Sequence, residues 1–465
     1  MLEPRVHRTA PVEERDGLPV PRRYWAIAAI VLAISLSVLD SSIANVALPT
    51  IAGELGTTAA TSIWVINAYQ IAILVSLLPL ASLGERVGYR RVSLGGLAVF
   101  TAASLTCSLA PSMPALVAAR VLQGFGAAAI MSVNAALVRF TYPTRMLGRA
   151  IGINALAVAS SAAIGPTIAA GILAVAPWRW LFAINVPLGL ITLLVASRAL
   201  PVTARSHRRL DRASAALHAG TFGLIACGLQ GLAHDTATAL SAAQIGLGTV
   251  LGIVLVRHEL GQQAPLIPFD LLRIRLFSLS IATSVCSFTA QMAALVALPF
   301  EIERLGHGAV ATGLLMTPWP VAVGFAAPVA GRLADRYPAS ILGAAGLATL
   351  ALGLLLLAAL PEGGSAGALI WRMALCGLGF GLFQSPNNRT LILAAPRARS
   401  GAAGGMLGTA RLLGQTVGAA GVAILFRIYP ARGADLALFG AAAIALAAAL
   451  VSLTRLAAQP ADANG

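Results

Sequence analysis

Across 465 residues this sequence has no lysine, only 11% charged residues and only 6% aromatic ones, against 58% hydrophobic residues. So low a charge content excludes an ordinary soluble chain, in which about a quarter of residues are charged. The net charge is still +15, so all 32 basic residues are arginine. They fall in short segments between apolar runs, a distribution that argues for a topology signal and against nucleic-acid binding. The four cysteines, Cys107, Cys227, Cys286 and Cys376, stand singly in apolar runs without C-x-x-C spacing. Neither a disulfide framework nor a zinc site is expected. The six histidines (7, 207, 218, 234, 258, 307) are scattered, with no acid or nucleophile at motif spacing. That leaves a membrane-embedded enzyme without a catalytic set, and no metal or cofactor is expected.

What the chain has in abundance is apolar runs of spanning length, about 20 residues each. Six fall near 24–48, 62–83, 92–110, 114–138, 150–174 and 178–200, and eight more near 213–232, 238–257, 277–300, 309–330, 339–360, 368–392, 401–426 and 434–456. Fourteen spans put both ends on one side. With the N-terminus taken as cytoplasmic, 25 of the 32 arginines lie in the tail or in cytoplasmic segments, four lie outside, and three (Arg120, Arg372, Arg411) fall within spans. This is the positive-inside pattern of a multi-pass protein of a bacterial inner membrane. The polar tail 1–23 is followed by a run too long for a signal-peptide core, so no cleavage is expected.

The second half repeats the first at an offset of about 250 residues. Glu85-Arg86 after the second span returns as Asp335-Arg336, and Gly124, Gly126 and Asn134 in the fourth span return as Gly377, Gly379 and Asn387. A parallel repeat of two six-span halves is a common plan of alternating-access carriers, with the substrate site between the halves near the midplane. The expected organisation is therefore an all-α membrane protein: tail 1–23, a six-span bundle 24–200, a linker with two extra spans 201–276, a second six-span bundle 277–457 and tail 458–465.

One acid, Asp40, falls well inside a span. A central Asp costs roughly 2.5–3.5 kcal/mol on insertion scales, so it is expected either to face a polar cavity with work to do or to act as a hydrogen-bonded tie between helices. Arg120 must likewise find a cavity or a partner, and Asp40 or backbone carbonyls are the options. Asp40 belongs to Asp40-Ser41-Ser42-Ile43-Ala44-Asn45-Val46-Ala47-Leu48-Pro49. The fourth span carries Leu116, Arg120, Gln123, Gly124, Gly126 and Ala128, and Trp178-Arg179-Trp180-Leu181-Phe182-Ala183-Ile184-Asn185-Val186-Pro187 opens the sixth. With the loop Ala81-x-x-x-Glu85-Arg86-x-Gly88-x-Arg90-Arg91 and the Gly165-Pro166 pair, these residues resemble the fourteen-span drug:proton antiporters of the major facilitator superfamily, from Tyr24 to Leu456. Five positions depart from the family pattern: Ser42 for its usual Thr, Ala81 for a Gly, Glu85 for an Asp, and Ala169 and Ala170 for glycines.

The resemblance implies a major facilitator fold and proton-coupled efflux of lipophilic, often cationic drugs by alternating access, without enzymatic activity. The alternative is an exporter of one defined metabolite or antibiotic. Asp40, Arg120 and Asn45 are the expected coupling residues; Glu85, Arg86, Gly88, Arg90, Asp335 and Arg336 the gating loops; Gly165 and Pro166 a hinge. Each also has a plainer role available, in topology or small-residue packing. Aromatic and amide groups beside one acid suit lipophilic cations, and the expected lining is Trp64, Asn67, Tyr69, Gln70, Gln123, Phe288, Gln291, Trp319, Phe383, Gln384, Asn387 and Arg411. Arg411 occupies a span where some relatives add an acid, which weakens any case for divalent cations. Expected partners are small molecules, protons and lipid, with the chain acting as a monomer.

Overall fold

A computed structural model describes residues 17–143, 146–203, 211–233, 238–262, 269–334, 336–361, 365–395 and 400–456. The described residues fold into fourteen helical rods and no strand. The first six rods are α1 (Arg22–Val46) continued by α2 (Leu48–Glu54), α3 (Ala59–Ser62) continued by α4 (Trp64–Val87), α5 (Tyr89–Ser108), α6 (Met113–Thr141), α7 (Leu147–Val175), and α8 (Trp180–Ala183) continued by α9 (Asn185–Ala199). Two follow as α10 (Arg212–Ala233) and α11 (Thr238–Leu260). The last six are α12 (Arg275–Arg304), α13 (Ala309–Met316) continued by α14 (Pro318–Leu333), α15 (Ala339–Ala358), α16 (Ala366–Ala394), α17 (Ser400–Ile428) and α18 (Gly433–Thr454). Three of the four breaks within rods have a proline just beyond them, Pro49, Pro187 and Pro318, whose missing N–H cannot close a helical hydrogen bond. Among the described residues thirteen helices are long and apolar enough to cross a membrane. The expected span not among them is α5, which opens Tyr-Arg-Arg and packs along α6 as an equal neighbour.

Each set of six rods packs mainly on itself, and the repeat read from sequence is visible in the packing. In α6, a side chain at Gly124 would meet the Tyr69 carbonyl of α4 at 2.6 Å, and one at Gly126 would meet Phe100 of α5 at 2.5 Å. In α16, Gly377 lies against Trp319 of α14, and a side chain at Gly379 would fall 2.6 Å from the Gly346 carbonyl of α15. The same glycine pair thus lets the fourth rod of each half touch its second and third rods backbone to backbone, the close approach that small residues permit in membranes.

All fourteen rods alternate in direction, so the starts of α1 and α12 and the end of α18 share one face, termed here the terminal end. At the opposite, far end the halves meet through α7 and α13: a side chain at Gly313 would lie 2.5 Å from the Pro166 carbonyl and 2.8 Å from Ala170, and the Thr167 and Thr317 hydroxyls are 2.8 Å apart. Ala170 replaces a glycine of the resembled motif, and the room for it comes from Gly313 across the interface. A second seam joins α4 to α17, with Leu78 and Leu77 touching α17 near Gly405 and Gly408. Helix α10 covers that seam and α11 lies outermost, packed on α10.

Candidate functional site

Asp40 lies near the middle of the α1–α2 rod and is 1% exposed, as is the side chain of Arg120 on α6. An unpaired charge at that depth would cost several kcal/mol; here the Arg120 guanidinium donates directly to the Asp40 carboxylate. The remaining lone pairs and donors are also used. Gln123 Nε2 and Asn185 Nδ2 donate to Asp40 Oδ1 at 2.8 and 2.7 Å, and Arg120 Nε donates to the Val65 carbonyl at 2.8 Å. Arg120 also donates to Gln123 Oε1 at 2.6 Å, and Gln123 Nε2 reaches Ser104 Oγ at 2.9 Å. The guanidinium stands 4.1 Å from the Tyr69 ring centroid and 5.5 Å from that of Phe182. One cluster therefore ties α1, α4, α5, α6, α8 and α9 together inside the first half.

This placement corrects part of the sequence reading. Tyr69 and Gln123, expected to line the pathway, belong to the charge cluster instead; Tyr69 donates its hydroxyl to the Ser37 carbonyl at 3.0 Å. Asp40 is closed in by these partners at 1% exposure. Asn45 is buried near the same depth, donates to the Ser41 carbonyl at 3.2 Å and leaves its Oδ1 without a partner. The roles of Asn185 and Ser104 were not anticipated; Asn185 closes the Trp178–Pro187 hallmark, which was the signal available.

Two further expected lining residues sit in the core of the second half. Phe383 packs on α15 beside Gly343 and Gly346. Asn387 donates to Ser284 Oγ at 2.8 Å and accepts from Arg455, whose guanidinium also reaches Ser280 Oγ at 3.1 Å and Ser452 Oγ at 2.8 Å. Arg455, read from sequence only as a topology signal, is 1% exposed and pins the end of α18 to α12 and α16. Nothing in its sequence context marks it, because it directly follows an apolar run like any flanking arginine.

The remaining expected lining is divided between buried and partly exposed positions. Asn67 is fully buried with neither amide atom bonded, and Trp319 is buried with its Nε1 free of any partner. Gln70 is buried, while Trp64, Gln291 and Gln384 are partly exposed. Phe288 meets Phe380 edge to face at 5.5 Å, and the Arg411 guanidinium lies 5.8 Å over the Phe288 ring.

At the terminal end, Gly88 joins α4 to α5 with φ of 100°, a left-handed value that only glycine adopts freely. Tyr89 N–H donates to Thr203 Oγ1 at 3.1 Å and Arg90 donates to the Ser197 carbonyl, so this loop is tied to the end of α9. Glu85, Arg86 and Arg336 are exposed, and Asp335 lies outside the described residues. Gly165 receives the Ser42 side chain of α1 at 2.5 Å from where a Cβ would stand, and Ser42 Oγ donates to the Ala162 carbonyl at 3.3 Å. The Gly165-Pro166 pair thus sits between two contacts, α1 on one side and Gly313 on the other.

The model of the Major Facilitator Superfamily matches residues 30–419. An uncharacterized transporter of Escherichia coli (strain K12), YebQ, is 55% identical over 96% of this chain and 98% of its own length. The multidrug efflux pump LfrA of Mycolicibacterium smegmatis is 29% identical over 90% of this chain and 85% of its own. Among solved structures, a bacterial homologue of the human lysosomal transporter Spinster superposes with a TM-score of 0.70 over 96% of this chain and 100% of that one, at 15% identity, a likeness of fold alone.

Proposed function

We propose, for a chain that belongs to the Major Facilitator Superfamily, that it is a proton-coupled exporter of amphipathic small molecules and a member of the fourteen-span drug:proton antiporters. It acts in a bacterial inner membrane with the terminal end, rich in arginine, in the cytoplasm. The observation that carries this reading is the buried Asp40–Arg120 pair, with Gln123 and Asn185 also donating to the carboxylate. A carboxylate kept at membrane depth, already neutralised and tied to five other helical segments, is suited to exchange its ionic bond for a proton.

The route from that exchange to movement runs through adjacent residues. Protonation of Asp40 removes the charge that holds Arg120 and loosens α1 against α6. Two residues on, Ser42 rests on Gly165 of α7, and the next residue of α7, Pro166, faces Gly313 at the far-end contact between the halves. A change in the seat of α1 is thereby transmitted to the contact that closes the far end, a chain of packed groups with two arrangements. Export by a multidrug relative supports a broad substrate range. The test is dye efflux and proton movement in inverted vesicles with a panel of anionic, neutral and cationic compounds; a profile confined to one solute supports a dedicated metabolite or antibiotic exporter, and no proton movement with any compound overturns the reading.

A further inference from the structure

Arg411 is charged, sits at membrane depth and forms no ion pair with an acid among the described residues. It lies about 16 Å along α17 from the first residue of that helix, at 1.5 Å per residue, with a further seventeen residues beyond it. On the helix circumference it falls between two contact faces. Gly405, Gly408 and Leu412 meet α4 of the first half, while Gly414 and Gly418 back onto α12 of the second, where an added side chain would stand 2.5 Å from the Val285 and Thr289 carbonyls. Arg411 therefore stands on the arc of α17 that looks into the seam between the halves. Its Nε is buried without a hydrogen bond, and its guanidinium lies 5.8 Å from the centroid of the Phe288 ring, itself backed by Phe380.

The charge census makes that position informative. The mid-span acid, Asp40, is already held by Arg120, Gln123 and Asn185. Every other acid of the chain lies in a terminal segment, a connecting segment or the first or last turns of a helix. The seam therefore carries an uncompensated guanidinium in a low-dielectric setting, where an isolated charge is costly and an incoming anion is correspondingly welcome. Further along the same seam, on α4, are neutral amide groups. Asn67 and Gln70 share one stripe of α4 with Leu74 and Leu77, the stripe that meets α17, and both amide atoms of Asn67 lack partners.

We infer that the substrates of this chain are amphipathic organic anions, carboxylates or sulfonates with an aromatic or long apolar body, whose charged group pairs with Arg411 while the body lies against Phe288 and Phe380. The inference rests on the export reading for its transport direction, but not for its binding chemistry. A planar guanidinium takes a carboxylate or sulfonate through two parallel hydrogen bonds, and the aromatic pair supplies the apolar platform.

The test uses the full chain in lipid nanodiscs and two probes with the same body and opposite charge, 1-pyrenebutanoate and a pyrenylbutyl-trimethylammonium salt. The unmodified chain should bind the carboxylate more tightly than the ammonium, and Arg411→Gln should weaken carboxylate binding by roughly 10- to 100-fold, the loss of one charge-assisted pair. Arg411→Lys should recover part of it. Tighter binding of the ammonium probe by the unmodified chain overturns the inference without any variant, and so does carboxylate affinity within twofold of the original in a folded Arg411→Gln. Proteoliposome flux separates this from the export reading. Arg411-dependent carboxylate binding without proton-linked flux refutes the exporter and keeps the anion site; proton-linked flux of the ammonium probe, indifferent to Arg411→Gln, does the reverse.

Discussion

Arg120 and Asp40 are bonded to each other at about 1% exposure, and both carboxylate oxygens of Asp40 accept hydrogen bonds from Arg120, Gln123 and Asn185. Breaking such a pair from one side leaves an unpaired buried charge, at a cost of about 3–5 kcal/mol. Asp40→Asn is therefore expected to lower the melting temperature in detergent more than the double change Asp40→Asn with Arg120→Gln, which removes both charges. Equal or greater loss in the double variant would show that the pair contributes through packing and not through charge.

The far-end contact gives a conformational prediction. Gly313→Val places methyl groups where the Pro166 carbonyl already stands 2.5 Å from an added Cβ, so it should hold α7 and α13 apart and favour the state open at the far end. Cysteines introduced at Thr167 and Thr317, whose hydroxyls are 2.8 Å apart, should cross-link readily in the unmodified chain and poorly beside Gly313→Val. Undiminished cross-linking would remove this contact from the gate.

Outside the spans, Asp211 and His258 join the terminal-end tips of α10 and α11 at 2.9 Å. Partial burial works to raise the Asp211 carboxyl, but the Ser214 N–H, His258 and the Ser214 hydroxyl more than offset it and hold it at about 2. A carboxylate held below its unfolded value stabilises the fold at pH above that value, near 4, and loses the contribution as pH falls towards 2. Because both side chains are about one-third exposed, the tie is worth at most about 1 kcal/mol. Asp211→Asn should slightly lower the melting temperature at neutral pH and reduce its difference between pH 5 and pH 3; an unchanged pH dependence would place the tie elsewhere.

The two extra helices should not set specificity. His218 is buried on α10 and its Nε2 meets the Leu74 carbonyl of α4 at 3.0 Å from outside the seam. His218→Ala is expected to lower stability while leaving the ranking of several exported compounds unaltered. A reordered ranking would bring α10 into the pathway.

Much of the architecture was legible because membrane insertion writes it in plain form: run length gives rods, and the recurring Gly124/Gly126 and Gly377/Gly379 pairs give the close packing of each half. The Asp40–Arg120 pair was legible for the same reason, since a lone acid in a span admits few partners. The facing of each side chain was not. A span is apolar on all sides, so the periodicity that orients a surface helix in water is weak here, and Tyr69, Gln123, Phe383 and Asn387 were read into the pathway although they face bundle interiors. Arg455 was missed because a buried arginine at the end of a span looks the same in sequence as an exposed one.

The central claim is that proton exchange at Asp40 drives export. Purified chain in proteoliposomes, given an imposed pH gradient and a fluorescent substrate, measures it directly when unmodified protein and Asp40→Asn are compared at matched insertion. Gradient-dependent substrate movement that disappears in Asp40→Asn, while substrate binding persists, is the predicted result; gradient-driven movement at near-normal rates in Asp40→Asn would contradict it.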